Sequence, residues 1–289
     1  MIIIRYTDNN SIHLAAVTEE EHIYSLPQQD FLSLVQDAKQ QKLSTLAYIQ
    51  SLINQQQPLK VSLKDLQLLT PIVAPEVWAA GVTYLRSREA RNYETSKEEQ
   101  SAITFYDKVY DAVRPEIFMK SSPLRTVGPH EALCLRSDST WQVPEPELGL
   151  VLDQEGQILG YTIGNDMSCR DIEGENPLYL PQAKTWRKSC AIGPAIRLAE
   201  TVRNPYDLQI VCSIYRDNQI VFEDTVNTSQ LKRKLEELTS FLMKDNDIYG
   251  GTILLTGTGI VPPNDFTLIQ GDRVDIQISG IGTLSNPIE

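Results

Sequence analysis

The chain has 289 residues, 41% of them hydrophobic, and a formal net charge of −12. This length suits one large domain or a main domain with a small companion, and the apolar share is enough for a packed core rather than disorder. The acidic balance leaves no basic face, so nucleic acid and anionic membranes are excluded as expected partners.

The opening "MIIIRYTDNNSIHLAAV" is apolar for only a few residues, and no later run is long enough to span a bilayer. No signal peptide is expected. Residues 1 to about 26 alternate apolar and polar around a turn-like "DNN", which predicts a small β-hairpin. "DFLSLVQDAKQQKLSTLAYIQSLINQ" spaces its apolar residues by three and four and predicts one or two helices. Prolines 71 and 75 then mark a boundary, with residues 1–72 as a small α/β unit and 73–289 as the main domain. Beyond it the chain is mostly strand-like, with two exceptions. The charged excursion "SREARNYETSKEEQSAITFYDKVYDAV" predicts a mobile helical lid near 86–112. "TSQLKRKLEELTSFLMKDN" places Leu231, Leu235, Leu238 and Leu242 at helical spacing behind a Thr/Ser cap and predicts a packed helix. Cys134, Cys169, Cys190 and Cys212 form no close CxxC pair, so they read as reduced thiols of a cytoplasmic protein.

The stretch "QVPEPELGLVLDQEGQILGYTIGND" carries the chemistry. Folded as a hairpin around Asp153–Gly156, it sets Leu152 opposite Gln157, Glu147 opposite Thr162 and Glu145 opposite Gly164. Alternation then puts Glu145, Glu147, Gly149, Thr162 and Asp166 on one face, with Leu148, Leu150 and Leu152 on the other. A change of one residue in the turn would reverse this. Three gathered carboxylates either face water as an acidic edge or hold a hard cation. The residues alone leave both readings open. The following "GNDMSCRDIEGENPLYLPQAKTWRKSCAIGP" crowds Asp166, Arg170, Asp171, Glu173 and Lys184 into a punctuated loop region, the composition of a site.

"EPELGLVLD", "GYTIGNDMSCRDIE", "AKTWRKSCAIGP" and the late "LLTGTGIVP" together resemble the fumarylacetoacetate hydrolase superfamily, from about residue 76 to the C-terminus. The resemblance implies an α+β fold, mainly β: a mixed β-sandwich roll after a small α/β N-terminal domain. It implies Glu145, Glu147 and Asp166 as ligands of Mg²⁺, with Mn²⁺ or Ca²⁺ as other candidates. It makes Lys184 the active-site lysine, with Arg170, Glu173 and Thr258 beside the substrate. Thr83 and Tyr84 belong to the segment where the family's hydrolases carry a water-activating histidine, but here that position is Ser87. The three histidines, His13, His22 and His130, lie elsewhere in the chain.

"VYDAVRPEIFMKSSPLRTVG", "RSDSTWQVPEPEL" and "ENPLYLPQAK" are similar to a sugar-acid dehydratase subgroup that also lacks the histidine. That likeness implies a hydro-lyase acting on a small 2-oxo acid, turning a 2-keto-3-deoxy pentonate into 2,5-dioxopentanoate and water. Lys184, its pKa expected to be lowered by burial near a cation, would remove the third-carbon proton. Glu116 would protonate the departing hydroxyl, and Arg86 and Arg88 on the lid would meet the substrate. A homo-oligomer, dimer or tetramer, is expected. The alternatives are an acylpyruvate or fumarylacetoacetate-type C–C hydrolase, an oxaloacetate decarboxylase, or a non-enzymatic relic of the fold.

Overall fold

Alternation at the N-terminus does build antiparallel strands: β1 (Ile2–Asp8), β2 (Ser11–Val17) and β3 (Ile23–Leu26). Asn9 and Asn10 turn the first hairpin with φ of 47° and 63°, a conformation that suits asparagine. These strands belong to a computed structural model that describes residues 1–95 and 105–289. The helical stretch splits into α1 (Phe31–Gln40) and α2 (Thr45–Ile53). Asp30 caps the first by accepting from Ser33 N at 2.9 Å, and Ser44 caps the second by accepting from Ala47 N at 3.2 Å.

Next come β4 (Gln67–Leu68), β5 (Val77–Gly81), α3 (Leu85–Thr95), α4 (Phe105–Asp111) and β6 (Glu116–Ser121). The expected lid corresponds to α3, α4 and their connection; its middle, residues 96–104, lies outside the described residues. After β7 (Thr126–Val127) and β8 (Gln142–Val143) the chain forms the hairpin β9 (Pro146–Leu152) and β10 (Ile158–Asp166). It continues through β11 (Ser168–Cys169), α5 (Arg170–Glu175), α6 (Leu180–Lys184) and β12 (Cys190–Leu198). The last elements are β13 (Gln209–Arg216), β14 (Gln219–Asn227), α7 (Leu235–Leu242), β15 (Ile253–Thr258), β16 (Arg273–Ile278) and β17 (Gly282–Pro287).

The large sheet runs β3-β2-β1-β12-β10-β9-β15-β5-β6, with β4 beside β1 and β7 beside β12. It is mixed, because β15–β5 and β12–β7 are parallel pairs. Residues 1–72 share this sheet with the rest of the chain through β1 and β12, where Ile3 lies opposite Ile196. A second sheet, β14-β13-β16-β17, packs on it. Leu148, Leu150, Leu152 and Ile163 meet Ile210, Cys212, Ile214, Ile276 and Ile278 in one buried cluster. Each such aliphatic side chain contributes about 1.5–3 kcal/mol by leaving water. The fold is therefore the expected mainly β, α+β arrangement.

The leucine-striped helix is shorter than its spacing predicts. Thr228–Gln230 forms a 3₁₀ turn and α7 begins only at Leu235. Tertiary bonds explain the delay. Lys232 N donates to Thr83 O at 2.9 Å, and Lys232 Nζ reaches Tyr110 O and Asp111 at 2.6 Å. Arg233 donates to Ala112 O at 2.5 Å. These contacts bind the segment to the α4 end and outweigh its helical propensity.

Candidate active site

The hairpin register shows how the acids converge. Ile158 lies opposite Leu152, one step from the expected pairing, which by itself would put the acids on the wrong face. A bulge at Leu159 adds a second step, so Gly160 pairs with Val151 and Glu147 faces Gly164. Two odd shifts restore the parity. Glu145, Glu147 and Asp166 share a face, and Asp166 N donates to Glu145 O at 3.0 Å. All three are buried, and ligand oxygens of each lie within 4.8 Å of one another.

Other elements close around them. Gly257, in the "TGT" of β15, takes φ of 92°, and its amide donates to Glu147 Oε2 at 2.5 Å. A Cβ there would lie 2.0 Å from Thr83 Oγ1, so only glycine fits. Lys184, at the end of α6, donates to Glu145 Oε2 at 2.5 Å and Ser168 Oγ at 2.6 Å. Its Nζ is 3.4 Å from Asp166 Oδ2 and 3.3 Å from Glu173 Oε1. Arg170 donates to Glu145 Oε1 at 2.8 Å. Arg91 Nη2 is 2.9 Å from Glu173 Oε1. The enclosed cavity among Arg91, Glu145, Glu147, Asp166, Lys184 and Thr258 measures ≈ 10 Å³. That is about the room of one water or one bare ion.

The carboxylates do not ionise alike. Burial pushes Glu145 up, but Lys184, Arg170 and Arg91 overcome it and bring its carboxyl down to about 2. Burial and then the charges of Asp166 and Glu145 drive Glu147 well above the ordinary carboxylate range. Lys184, Arg170 and Arg91 thus favour the ionised form of Glu145, while burial and its acidic neighbours disfavour that of Glu147. Oxygen-only donors, shared burial and the carboxylate repulsion that raises Glu147 fit a hard divalent cation. Lys184 differs from expectation. Burial lowers its pKa, but Asp166, Glu145 and Glu173 raise it further, so the ammonium is held above the ordinary lysine value.

Glu116 opens β6, and its carboxylate lies against Gly81, where a Cβ would sit 2.5 Å from Oε1. Gly81 lines the small cavity, while Glu116 lines a neighbouring pocket of ≈ 490 Å³ with Val109, Pro115 and Leu178. Burial raises the Glu116 pKa, opposed first by Arg91.

The remaining predicted residues divide. Thr258 borders the cavity and exchanges hydrogen bonds with Ile260. Thr83 supports it from behind, donating to Thr256 O at 2.6 Å. Tyr84 is buried, and burial pushes its phenol up. Arg86 is exposed and pairs with Glu89 at 3.7 Å. Arg88 stacks over the Tyr110 ring at 5.0 Å. Ser87 lines the cavity, its Oγ donating to Tyr84 O at 2.8 Å. Among the described residues no histidine lines the cavity.

Arg91, Lys120 and Ser168 are additions that sequence reasoning passed over. Lys120 is fully buried, 2.7 Å from Asp166 Oδ1, and donates to Met167 O at 2.7 Å and to Lys184 O. The signal was available: Glu116, Phe118 and Lys120 alternate on β6, so a site at Glu116 implies the other two.

The chain belongs to the fumarylacetoacetate hydrolase family: residues 87–289 match "Fumarylacetoacetate (FAA) hydrolase C-terminal". It is 50% identical over 227 residues to the 2-dehydro-3-deoxy-D-arabinonate dehydratase of Saccharolobus solfataricus, covering 78% of this chain and 76% of that one. It is 49% identical over 224 residues to a probable 2-keto-3-deoxyxylonate dehydratase of Haloferax volcanii, covering 78% and 75%. A solved 2-keto-3-deoxy-D-arabinonate dehydratase complexed with magnesium and 2,5-dioxopentanoate superposes with a TM-score of 0.86 at 39% identity, over 100% of this chain and 99% of that one.

Proposed function

We propose that this chain is a Mg²⁺-dependent hydro-lyase that converts 2-dehydro-3-deoxy-D-arabinonate into 2,5-dioxopentanoate and water. The observation that carries the reading is the cavity wall. It combines a buried carboxylate triad and a lysine with Ser87, whose hydroxyl is engaged by the Tyr84 backbone, where the family's hydrolases use an imidazole. The relatives' names give the same class of reaction and substrate.

Glu145, Glu147 and Asp166 would hold the Mg²⁺, which supplies Lewis-acid stabilisation of charge developing on the substrate's ketone oxygen. Arg170 keeps Glu145 oriented through its 2.8 Å hydrogen bond. Were the triad engaged as ligands, Lys184 would keep Ser168 and Glu173 as partners, and the cation would offset the Asp166 and Glu145 charges that, with Glu173, hold its proton. Lys184 Nζ then takes a proton from the third carbon. Glu116, whose raised pKa keeps it protonated to higher pH than an ordinary carboxylate, donates to the fourth-carbon hydroxyl as that C–O bond breaks. Water leaves, and the enone still bears the fifth-carbon alcohol. Loss of a fifth-carbon proton and return of one to the third carbon give an enol that tautomerises to the aldehyde. Thr258 would meet the substrate from the cavity wall, with Thr83, Tyr84, Arg88, Arg170 and Glu173 behind it and Arg86 reaching the substrate only when the lid moves.

A homo-oligomer, dimer or tetramer, goes with this reading. A cytoplasmic setting accords with four free cysteines, and among the described residues no helix is long and apolar enough to cross a membrane. Residues 1–72 and 73–289 are kept as an N-terminal and a catalytic unit joined along β1 and β12.

The test is an assay of 2-keto-3-deoxy pentonates with Mg²⁺ for release of 2,5-dioxopentanoate, beside a panel of acylpyruvates and oxaloacetate. Dehydration by the wild type is expected, with both dehydration and third-carbon exchange in D₂O lost in Lys184→Met. Cleavage of an acylpyruvate without any dehydration would move the chain to the hydrolase reading.

A further inference from the structure

The arginine that enters the cavity is not one of the two that the lid segment first suggests. Helix α3 begins beside Tyr84, and residues three, four and seven positions further on share the Tyr84 side of a helix. Those positions are Ser87, Arg88 and Arg91. The side chain of Arg86, on another face, is 54% exposed, while that of Arg91 is 4% exposed and lines the cavity.

A buried guanidinium requires compensation, and Glu173 supplies it at 2.9 Å. Glu173 also lies 3.3 Å from Lys184 Nζ. Arg91 is thereby anchored to the same carboxylate that contacts the proposed base. It also lines the cavity together with Gly81, against which the Glu116 carboxyl lies. Arg91 thus stands on the side of the cavity that joins Lys184 to Glu116.

This inference rests on the reading under Proposed function. There the ketone oxygen of the substrate belongs at the carboxylate triad, with the acid group on the adjoining carbon, and the fourth-carbon hydroxyl belongs at Glu116. The chain between them must pass Lys184. A cation on the Lys184–Glu116 side therefore faces the hydroxyl-bearing end of the substrate, not its carboxylate. A guanidinium donates and never accepts, so it rewards an oxygen there and leaves a desolvated donor facing a C–H.

We propose that Arg91 is a specificity-determining residue that recognises the hydroxyl-bearing end of the 2-keto-3-deoxy acid, held in place by Glu173. Its contribution is to the discrimination between hydroxylated five-carbon 2-oxo acids and short unhydroxylated ones. The triad and Lys184 handle the 2-oxo acid end common to both.

The experiment compares wild type, Arg91→Met and Arg91→Lys in three measurements. These are steady-state dehydration of a 2-keto-3-deoxy pentonate, calorimetric affinity for Mg²⁺ alone, and calorimetric affinity of the Mg²⁺-loaded protein for pyruvate. Pyruvate carries the 2-oxo acid and no hydroxyl. Arg91→Met is expected to lower kcat/KM by about 10- to 100-fold, the range for a lost charged hydrogen bond, with the larger share in KM. Pyruvate affinity, measured at saturating Mg²⁺, is expected to stay within about twofold of wild type, since pyruvate does not reach the guanidinium; the Mg²⁺ titration sets that saturating concentration for each variant, because the Arg91 charge also acts on Glu145. Arg91→Lys keeps the charge and the Glu173 partner and is expected to recover part of the loss; it carries the test alone if Arg91→Met does not fold. Pyruvate affinity falling in step with kcat/KM would overturn the proposal, because Arg91 would then serve the acid end or only brace Glu173. Unchanged kcat/KM in Arg91→Met would overturn it as well. A wild type that dehydrates no keto-deoxy acid would overturn the functional reading and this inference with it, so the two failures are told apart by the wild-type assay.

Discussion

Two hairpins of this chain carry acids, and they treat them in opposite ways. In β13–β14, Glu223 and Asp224 sit opposite Ser213 and Cys212 and face solvent. Glu223 accepts a hydrogen bond from Ser213 Oγ at 2.8 Å. In β9–β10, every residue of β9 is buried, and so are Glu145 and Asp166. Strand chemistry alone does not separate them. Position does: β14 is the edge of a four-stranded sheet, whereas β9 and β10 lie between β15 and β12 in the large one. Covered on both edges and capped by Arg91 from α3 and Lys184 from α6, the second hairpin cannot solvate its acids. It must neutralise them with cations or protons. The lesson is that a gathering of acids becomes a site when the surrounding elements exclude water, not when the acids are merely close.

The comparison can be broken most severely at the triad. Glu147→Ala or Asp166→Ala should abolish measurable Mg²⁺ binding and lower kcat by about 10³-fold or more, because the cation's charge stabilisation goes with it. Glu223→Gln in the solvated hairpin should change neither. Calorimetric titration that finds wild-type Mg²⁺ affinity in a triad variant would remove that residue from the site.

A smaller effect is expected from Lys120, whose charge is spent inside the protein. Lys120→Met removes the ammonium 2.7 Å from Asp166 and frees the Lys184 carbonyl it holds. Breaking such a buried pair should cost about 3–5 kcal/mol of stability. It should also reduce kcat by about 10²-fold through displacement of Lys184. Thermal melts and rate constants measured at saturating Mg²⁺ and substrate report the two separately. A fall in melting temperature with kcat intact would leave Lys120 a structural residue only.

The gentlest expected effect is on pH dependence, and the two glutamates of the triad have opposite signs. Glu145, lowered to about 2, contributes stability that is present above the unfolded-state value of 4.5 and lost as pH falls toward 2. Glu147, raised above 4.5, contributes stability that is present below that value and lost as pH climbs through its raised pKa. Melting of the metal-free protein should therefore soften as pH rises through that upper window. Mg²⁺ should flatten the decline, and Glu147→Gln should remove it. A metal-free melting temperature that climbs steadily over the same window would contradict this assignment.

Much of the site was legible along the chain, because its residues belong to short motifs. "EPE", "GND" and "AKT" hold Glu145, Glu147, Asp166 and Lys184, and the family resemblance these stretches help carry implied the mainly β, α+β fold. Parts that depend on long-range contacts were less legible. The start of α7 depends on bonds from Lys232 to Thr83 and Tyr110, more than a hundred residues away. Arg91 and Lys120 look like ordinary charged residues until α3 and β6 are folded against α5, α6 and Asp166.

The pKa of Lys184 shows the division most plainly. Its residue type and motif determine that a lysine stands at the site, but not its proton affinity. That depends on Asp166, Glu145 and Glu173, which come from a hairpin end and a following helix, lying within 2.5–3.4 Å of Nζ. The sequence by itself determined which acids alternate on a strand, which residue replaces the family's histidine, and the strands and helices of the N-terminal segment, but not helices α5 and α6, which it offered as loop. The tertiary structure decided the hairpin's register through a bulge at Leu159, which arginine enters the cavity, and which carboxylate is raised and which lowered in pKa. The reason is physical: alternation and spacing are local properties of the backbone, whereas desolvation and charge pairing depend on distances between groups that only the folded chain brings together.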